Sequence, residues 1–525
     1  MQPGTKKTID TQVLIIGGGA TGTGLARDLA LRGVNVVLVE KADLNAGASG
    51  ANHGLLHSGA RYVHSDQEAA KECREEGLIL KEVCPQCIEE TSGLFVAVPG
   101  DEESYIADFP GMCQKANIPC RSLSISEALE KAPCLSKEAI AVYEVPDASI
   151  DPFKLAIENM SQACGLGGTY FSHCRVAGFD MNKKGITCAH VQNLRTGEEL
   201  QIHADVYISA SGAWAGGIAQ LAGIKIPMVF SKGSLLITGN RLAKPVINRL
   251  RKASDGDILV PGGIVSIIGT TSIRIDDPDK IFPTVEEVDL IINQGQQMVP
   301  DLGVRRYIRA YSGVRPLVSS DDGDDRNVTR GFVLLDHAKE GVDNFITITS
   351  GKLTTYRLMA EKTADLACEK LKLDAPCRTR DQAMPMAETG DWTEPAASLK
   401  RGLGLPGHDD KMICECEMVP ASAIDAIAAD IRRHRSRPDL LSIGLRSRMG
   451  KGPCQGSACS ARALSHLYDK GEVKGREGIR DMARFLNERW KGEHALLWGD
   501  SLAQSSLKEM IHCGVFCLEK SDEDR

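Results

Sequence analysis

Apolar residues in this chain come in short unbroken runs, separated by helix-forming or turn-forming stretches. Val13–Ile16 is the first run, and its β-type composition predicts a buried strand. From there to Arg32 the sequence is rich in helix formers, and Val34–Val39 is a second apolar run that ends at Glu40. Strand, helix and strand in that order predict a βαβ unit. Val229–Leu236 and Ile264–Ile268 predict strands of a further sheet. "ASIDPFKLAIENM" predicts a helix with Asp151 as N-cap, Pro152 at its first position and an apolar face beyond. The uncharged stretch from Tyr207 to Gly223 holds Ser209, Ser211, Gln220 and four glycines, so it predicts a strand, turn and helix rather than a membrane span.

The turn inside the βαβ unit carries chemistry. Gly17, Gly19 and Gly22 match G-x-G-x-x-G. Gly17 permits the tight turn, Gly19 lets the backbone approach a pyrophosphate, and Gly22 lets helix and strand pack closely. The helix N-terminus offers free N–H groups and a positive dipole end. Glu40, 18 residues after Gly22, is placed to accept hydrogen bonds from ribose. The unit therefore predicts a dinucleotide site, and by itself does not separate FAD from NAD.

Composition narrows the class. A chain of 525 residues suggests two to four domains with a large core, and 42% hydrophobic with 25% charged residues is that of a soluble globular protein. A formal net charge of -8 argues against broad electrostatic binding to nucleic acid. The opening "MQPGTKKTIDTQVLIIGGG" reads as a buried first strand rather than a signal peptide, since no small-residue cleavage site follows a proper apolar region. Seventeen scattered cysteines fit reduced thiols plus a metal site better than a disulfide framework.

"NAGASGANHGLLHSGARYV" follows the second strand and resembles the second cofactor loop of FAD-dependent oxidoreductases related to D-amino-acid oxidase. "DVYISASGAWAGGIAQLAGI" and "FITITSGKLTTYRLMAEK" resemble later strands of that family, with Gly351 opening a helix beneath the flavin. The resemblance implies an α/β fold: a discontinuous FAD-binding Rossmann-like unit of the D-amino-acid oxidase type over residues 1–376, with β-sheet substrate-domain insertions near 78–145 and 225–310. Besides the glycine turn and Glu40, it implies cofactor contacts at Ser49, Gly50, His57, Val176, Ser211, Gly212, Trp214, Gly351 and Leu353.

Four cations sit beside glycines or turns: Arg61, Arg315, Arg330 and Lys352. Guanidinium forks grip phosphate or carboxylate bidentately, so clustered arginines point to an anionic substrate. "HSGARY", "AYSGVRPL" and "GKLTTYRLMAEK" resemble signatures of the FAD-dependent glycerol-3-phosphate dehydrogenases. That similarity implies a substrate site of Arg61, Tyr62, Arg315, Arg330, Lys352 and Thr354, with Arg315 or Lys352 stabilising a developing alkoxide as sn-glycerol 3-phosphate is oxidised to dihydroxyacetone phosphate. Aerobic, single-subunit members carry a His after a "KGS" segment, where this chain has Leu235. His53 and His57 are candidate bases, and the base is left unassigned.

Late in the chain stand C-x-C, a gap of 37 residues and C-x4-C: Cys414, Cys416, Cys454 and Cys459. The residues alone allow unrelated core thiols, structural zinc or a [2Fe–2S] cluster. Glycines around the second pair, with Arg446, Arg448 and Lys451 just before it, favour the cluster, because nearby cations ease reduction of an anionic centre. The segment resembles the small helical domain of bacterioferritin-associated ferredoxin (BFD-like), apart from that protein's closing C-x2-C. C-x4-C with "CQG" and the tail "FLNERWKGEHALLWGDSL" resemble the catalytic subunits of anaerobic glycerol-3-phosphate dehydrogenases. The resemblance implies a flavin-containing B subunit, with a membrane-associated iron–sulfur C subunit, quinone as eventual acceptor, and a peripheral place at the cytoplasmic face of the inner membrane. Residues 377–411, rich in Pro, Gly and acidic residues, read as a linker to a cysteine domain over 412–465, followed by a tail over 466–525. Cys84 and Cys87 read as ordinary thiols. Rival readings are a flavin oxidoreductase of the same fold acting on a 2-hydroxy acid or amine, and a non-catalytic electron-carrier or iron-binding protein.

Overall fold

The computed structural model describes residues 7–318, 331–387, 389–395, 397–400, 410–434 and 436–518. Strand Lys7–Ile16 lies at the centre of the first sheet, parallel to Val36–Val39 on one side and Glu199–Ser209 on the other. Ile16 pairs with both Val39 and Ser209, and Ser209 pairs with Thr347 of strand Phe345–Ser350. Four parallel strands thus end at one level, where an open α/β sheet binds its ligands. Val13, Leu14 and Ile15 are fully shielded, as expected of a strand covered on both faces.

The helix after the first strand runs Ala20–Leu31, and the second strand is shorter at its start than the apolar run, beginning at Val36. Asp151 Oδ1 accepts from the Phe153 and Lys154 N–H groups at 2.9 and 3.1 Å, and helix Pro152–Gly165 follows with Pro152 in its first turn. Helix Tyr356–Leu371 begins five residues beyond Gly351, after a turn. Its Arg357, buried, grips Glu76 of helix Gln67–Val83 through two bonds of 2.6 and 2.8 Å.

A second, largely antiparallel sheet is built from residues 93–145 and 228–318. Met228–Thr238 pairs along its length with Tyr307–Val318, in a register that sets Ser231 opposite Arg315. Leu94, Leu236, Ile247, Ile268 and Val288 fill the core beneath it.

The cysteine-bearing region is helical. Helices Ala421–Arg433, Leu440–Arg446, Cys459–Asp469 and Glu477–Glu493 surround Ile413, Ile424, Ile427, Ile443 and Phe485. Ile424, Ile427 and Ile431 recur at helical spacing on the buried face of the first of these, each contributing about 1.5–3 kcal/mol by leaving water. Phe485, from the stretch read as a tail, belongs to this core. So does Trp392, from the stretch read as a linker. Lys154 fixes that stretch through Asp391 and Glu394, so a composition suited to a linker is here folded against the body.

Arg446 does not serve the cysteines as a free cation. It is buried, and it grips Asp43 through Nη1–Oδ2 at 2.5 Å and Nη2–Oδ1 at 2.8 Å, with the Tyr170 hydroxyl at 3.2 Å. Arg448 is likewise paired, with Glu417. Burial alone would raise the Asp43 carboxyl, but the Arg446 guanidinium holds it down at about 2. Its folded value lies below the ordinary 3.8, so this pair stabilises fully above that pH and loses its contribution as pH falls toward 2. Removing one member of a buried pair costs ~3–5 kcal/mol. Arg446→Met should therefore lower the denaturation midpoint markedly at pH 7, and the double variant with Asp43→Asn should recover part of the loss. Additive losses in urea titrations would show the pair to be uncoupled.

Candidate active site

A cavity of about 590 Å³ opens at the carboxyl ends of the parallel strands and continues under the second sheet. That size suits a cofactor and a small ligand. Gly17, Gly19, Glu40, Ser49, His57, Val176, Ser211, Gly212, Trp214, Gly351 and Leu353 all line it. Gly22 and Gly50 lie just behind.

The glycines are there because nothing larger fits. A β-carbon on Gly17, whose φ is +116°, would lie 2.6 Å from the Ala210 carbonyl oxygen. One on Gly22 would lie 1.9 Å from the Gly17 carbonyl, and one on Gly50 would lie 2.2 Å from that of Asn45. Ser49 Oγ accepts from the Ala20 N–H at 2.9 Å, so the second loop caps the helix that follows the glycine turn. Glu40 takes the Gly18 and Ala42 N–H groups at 2.7 and 2.8 Å. Each carboxylate oxygen keeps a lone pair for further donors. Burial raises the Glu40 carboxyl above its ordinary range. Ser350 stands at a φ of +63° on the pocket wall, and its buried Oγ has no hydrogen-bond partner. A glycine cradle, a poised carboxylate and an orphaned hydroxyl fit a dinucleotide.

At the rim, Trp214 Nε1 donates to Asp279 at 3.0 Å and Lys41 Nζ lies 3.7 Å from the centre of the Trp214 ring. At the other end, Arg61, Tyr62, Arg315 and Lys352 share the wall with His53 and His57. Arg61 Nη2 is tied to Asp257 at 3.3 Å, while its Nη1 is buried without a partner. Asp257 also takes Arg251 at 2.7 Å. Arg315 Nη1 donates to the Thr271 carbonyl at 3.1 Å, and its Nη2 donates to Thr270 Oγ1. Lys352 Nζ lies 4.8 Å from the centre of the Tyr62 ring. Thr354 lies behind the wall, where its Oγ1 accepts from the His57 N–H at 3.1 Å. Leu235 gives the pocket an apolar surface. Arg330 lies outside the described residues. Asp257 went unnoticed in the sequence because 196 residues separate it from Arg61, and no local pattern links them.

The four late cysteines meet as two pairs, Cys414 with Cys459 and Cys416 with Cys454. The first pair is buried; Cys416 is exposed and Cys454 partly so. The Cys459 thiol and the Gly450 N–H help hold Cys414 down at about 6. Gly450 and Gly456, at φ of +76° and +89°, fold around Phe485, where a β-carbon on either would lie 2.5 Å from the ring. Gly450 therefore serves both sulfur and the turn. Among the described residues, Asp180, Cys188 and His190 form the one group of three or more such side chains whose ligand atoms all lie within 4.8 Å of one another. Cys84 and Cys87 are buried in a hydrophobic core.

Residues 12–366 match the model of the FAD dependent oxidoreductase family (DAO). The chain is 42% identical to the A subunit of the anaerobic glycerol-3-phosphate dehydrogenase of Escherichia coli K12, covering 99% of both. It is 38% identical to the A1 subunit of the same enzyme from Haloferax volcanii, covering 98% of this chain and 91% of that one. A glycerol-3-phosphate dehydrogenase from Bacillus halodurans, solved with FAD, superposes with a TM-score of 0.63 at 18% identity over 93% of this chain and 96% of its own. At that identity the likeness speaks for the fold, an FAD-binding Rossmann-like α/β architecture. The chain belongs to the FAD-dependent oxidoreductase family.

Proposed function

We propose that the chain oxidises sn-glycerol 3-phosphate to dihydroxyacetone phosphate with FAD as acceptor. The observation that carries this reading is the Arg61 guanidinium, whose buried Nη1 has no partner in a wall shared with Arg315 and Lys352. A buried unpaired charged donor is unfavourable unless an anionic ligand meets it. Three cations match a phosphate dianion, where a carboxylate needs one. The named activity of the relatives points the same way.

FAD, when bound, accepts the hydride from C2. The chain supplies position and charge. Arg61, with Arg330 and Lys352, holds the phosphate; Tyr62 and Thr354 shape the wall around it. Arg315 or Lys352 stabilises negative charge developing on the C2 oxygen. The glycine turn, Glu40 and Ser49 hold the dinucleotide, with Ser211, Gly212 and Trp214 on the facing wall.

Cys414, Cys416, Cys454 and Cys459 would hold a [2Fe–2S] centre, a one-electron relay. Two thiol pairs suit two irons with two thiolates each. The exposed Cys416 side gives electrons an exit. The word "subunit" in the relatives' names fits partners. For these we propose a flavin-containing B subunit, together with a membrane-associated iron–sulfur C subunit that passes electrons to quinone. Such a chain would sit peripherally at the cytoplasmic face of the inner membrane; no helix among the described residues is long and apolar enough to cross one.

Reduction by substrate, substrate affinity and metal content test this reading. Anaerobic sn-glycerol 3-phosphate should bleach the flavin of the holoenzyme. Arg61→Ala should weaken substrate binding roughly 10- to 100-fold, the size of one or two charge-assisted bonds, with FAD content unchanged. Full activity on the phosphate substrate in variants of both Arg61 and Arg315 would remove the pocket assignment. Metal analysis should find two irons and no zinc per chain, and Cys454→Ser should abolish the reduced-state EPR signal while flavin bleaching persists. One zinc per chain, without iron, would make the cysteine site structural.

A further inference from the structure

The buried arginines Arg249, Arg357 and Arg446 are each gripped by a carboxylate, that of Asp101, Glu76 and Asp43 respectively. Arg489, on helix Glu477–Glu493 in the stretch read as a tail, is placed differently. Its Nε is shielded from water without a hydrogen-bond partner, and it forms no ion pair among the described residues. Glu488 and Glu493, the acids that act on it, belong to Lys491 at 2.9 Å and Lys508 at 2.5 Å. A guanidinium drawn from water with no anion bonded to it is unfavourable, so its place needs another reason.

Its surroundings lead to the cysteines. Helical spacing sets Phe485, Arg489 and Gly492 on one face. The guanidinium carbon of Arg489 lies 5.2 Å from the centre of the Phe485 ring, on which Gly450 and Gly456 of the cysteine loop close. The Gly450 N–H is the one that reaches Cys414. Arg489 Nη2 comes within 3.8 Å of where a Gly444 β-carbon would stand, and the Met449 carbonyl lies 3.2 Å from the same point. Gly492 leaves room for a second arginine, since a β-carbon there would lie 2.7 Å from Arg309 Nε. On the cysteine loop itself, Lys451 Nζ lies 4.6 Å from the centre of the Phe153 ring. The acids that act on Lys451 are engaged elsewhere, Glu417 by Arg448 and Asp151 by the N–H groups of Phe153 and Lys154. Three cations without a bonded carboxylate thus gather beside four thiols. Burial and Arg309 push Arg489 down to about 9, while the Cys459 sulfur acts on it in the opposite sense.

Such a field suits a group that is anionic and becomes more so as it works. A [2Fe–2S] centre on four thiolates is anionic when oxidised and gains one more negative charge on reduction, whereas zinc keeps its charge. We propose that Arg489 poises the four-cysteine centre to accept the flavin's electrons: its positive charge favours the reduced form and raises the reduction potential of the centre. This rests on the iron–sulfur reading above. One electron leaves the reduced flavin and enters the centre, and no bond forms or breaks. Arg489 acts through its charge and is not a ligand, and Lys451 adds to the same field from the loop. Arg446 and Arg448 stand nearer to the cysteines in the sequence, but Asp43 and Glu417 neutralise them.

The test is an EPR-monitored potentiometric titration of the holoenzyme. Wild type is compared with Arg489→Met, which keeps an apolar stem on Phe485 and removes the charge, and with Arg489→Lys, which keeps the charge. Iron content, FAD content and circular dichroism report assembly. Arg489→Met should make reduction of the centre roughly tenfold less favourable, a drop of about 59 mV for one electron, while the flavin midpoint stays where it is. Arg489→Lys should recover most of that drop. If Arg489→Met loses its iron, Arg489→Gln makes the same comparison. An unmoved midpoint in the neutral variant overturns the proposal. An equal drop in Arg489→Lys also overturns it, since packing rather than charge would then be responsible. A wild type that holds zinc and gives no reduced-state signal overturns the iron–sulfur reading, and this role of Arg489 with it.

Discussion

There is no space for a β-carbon where the first strand turns into its helix. The Gly17 and Gly22 contacts mean that every other feature of the cofactor end is arranged around bare backbone. Four parallel strands end at that level, Ser49 reaches across to cap the helix, and Glu40 folds back onto Gly18. Only a chain that closes this turn can bring the second loop, with His53, His57 and Arg61, to the same cavity. The backbone constraint at one end thus sets the geometry of the charged groups at the other.

The charged end is held by a different kind of contact. Arg315 is fixed by the register of two long strands and by the carbonyl of Thr271, and Arg61 by Asp257. Arg61 is oriented by a group that uses only part of its donor capacity, and its buried Nη1 keeps no partner. Partial engagement orients a guanidinium without satisfying it, and a ligand then gains the remaining bonds without first ordering the side chain.

What the sequence revealed is local. The glycine spacing, the apolar runs and the Asp151 cap each depend on a few neighbouring residues, and each appears in the fold. What stayed hidden is pairing across the chain. Arg446 reads as a cation beside cysteines because charge is visible in a sequence and its partner is not; Asp43, 403 residues away, neutralises it. Residues 377–411 read as a linker because Pro, Gly and acidic residues usually avoid cores, yet Trp392 among them is buried in one. Arg330, named from its glycine neighbour, lies outside the described residues.

The Asp43–Arg446 pair also says something about time. A ribosome adds ~5–20 residues per second, so the 403 residues between the partners take roughly 20–80 s to make. Through that interval the carboxylate has no guanidinium to meet, and a lone charge stays hydrated rather than enter an apolar interior. The flank of the cofactor unit around Asp43 and Tyr170 therefore remains wet until the cysteine-bearing helices emerge, and expulsion of that water is among the last events in the birth of the protein.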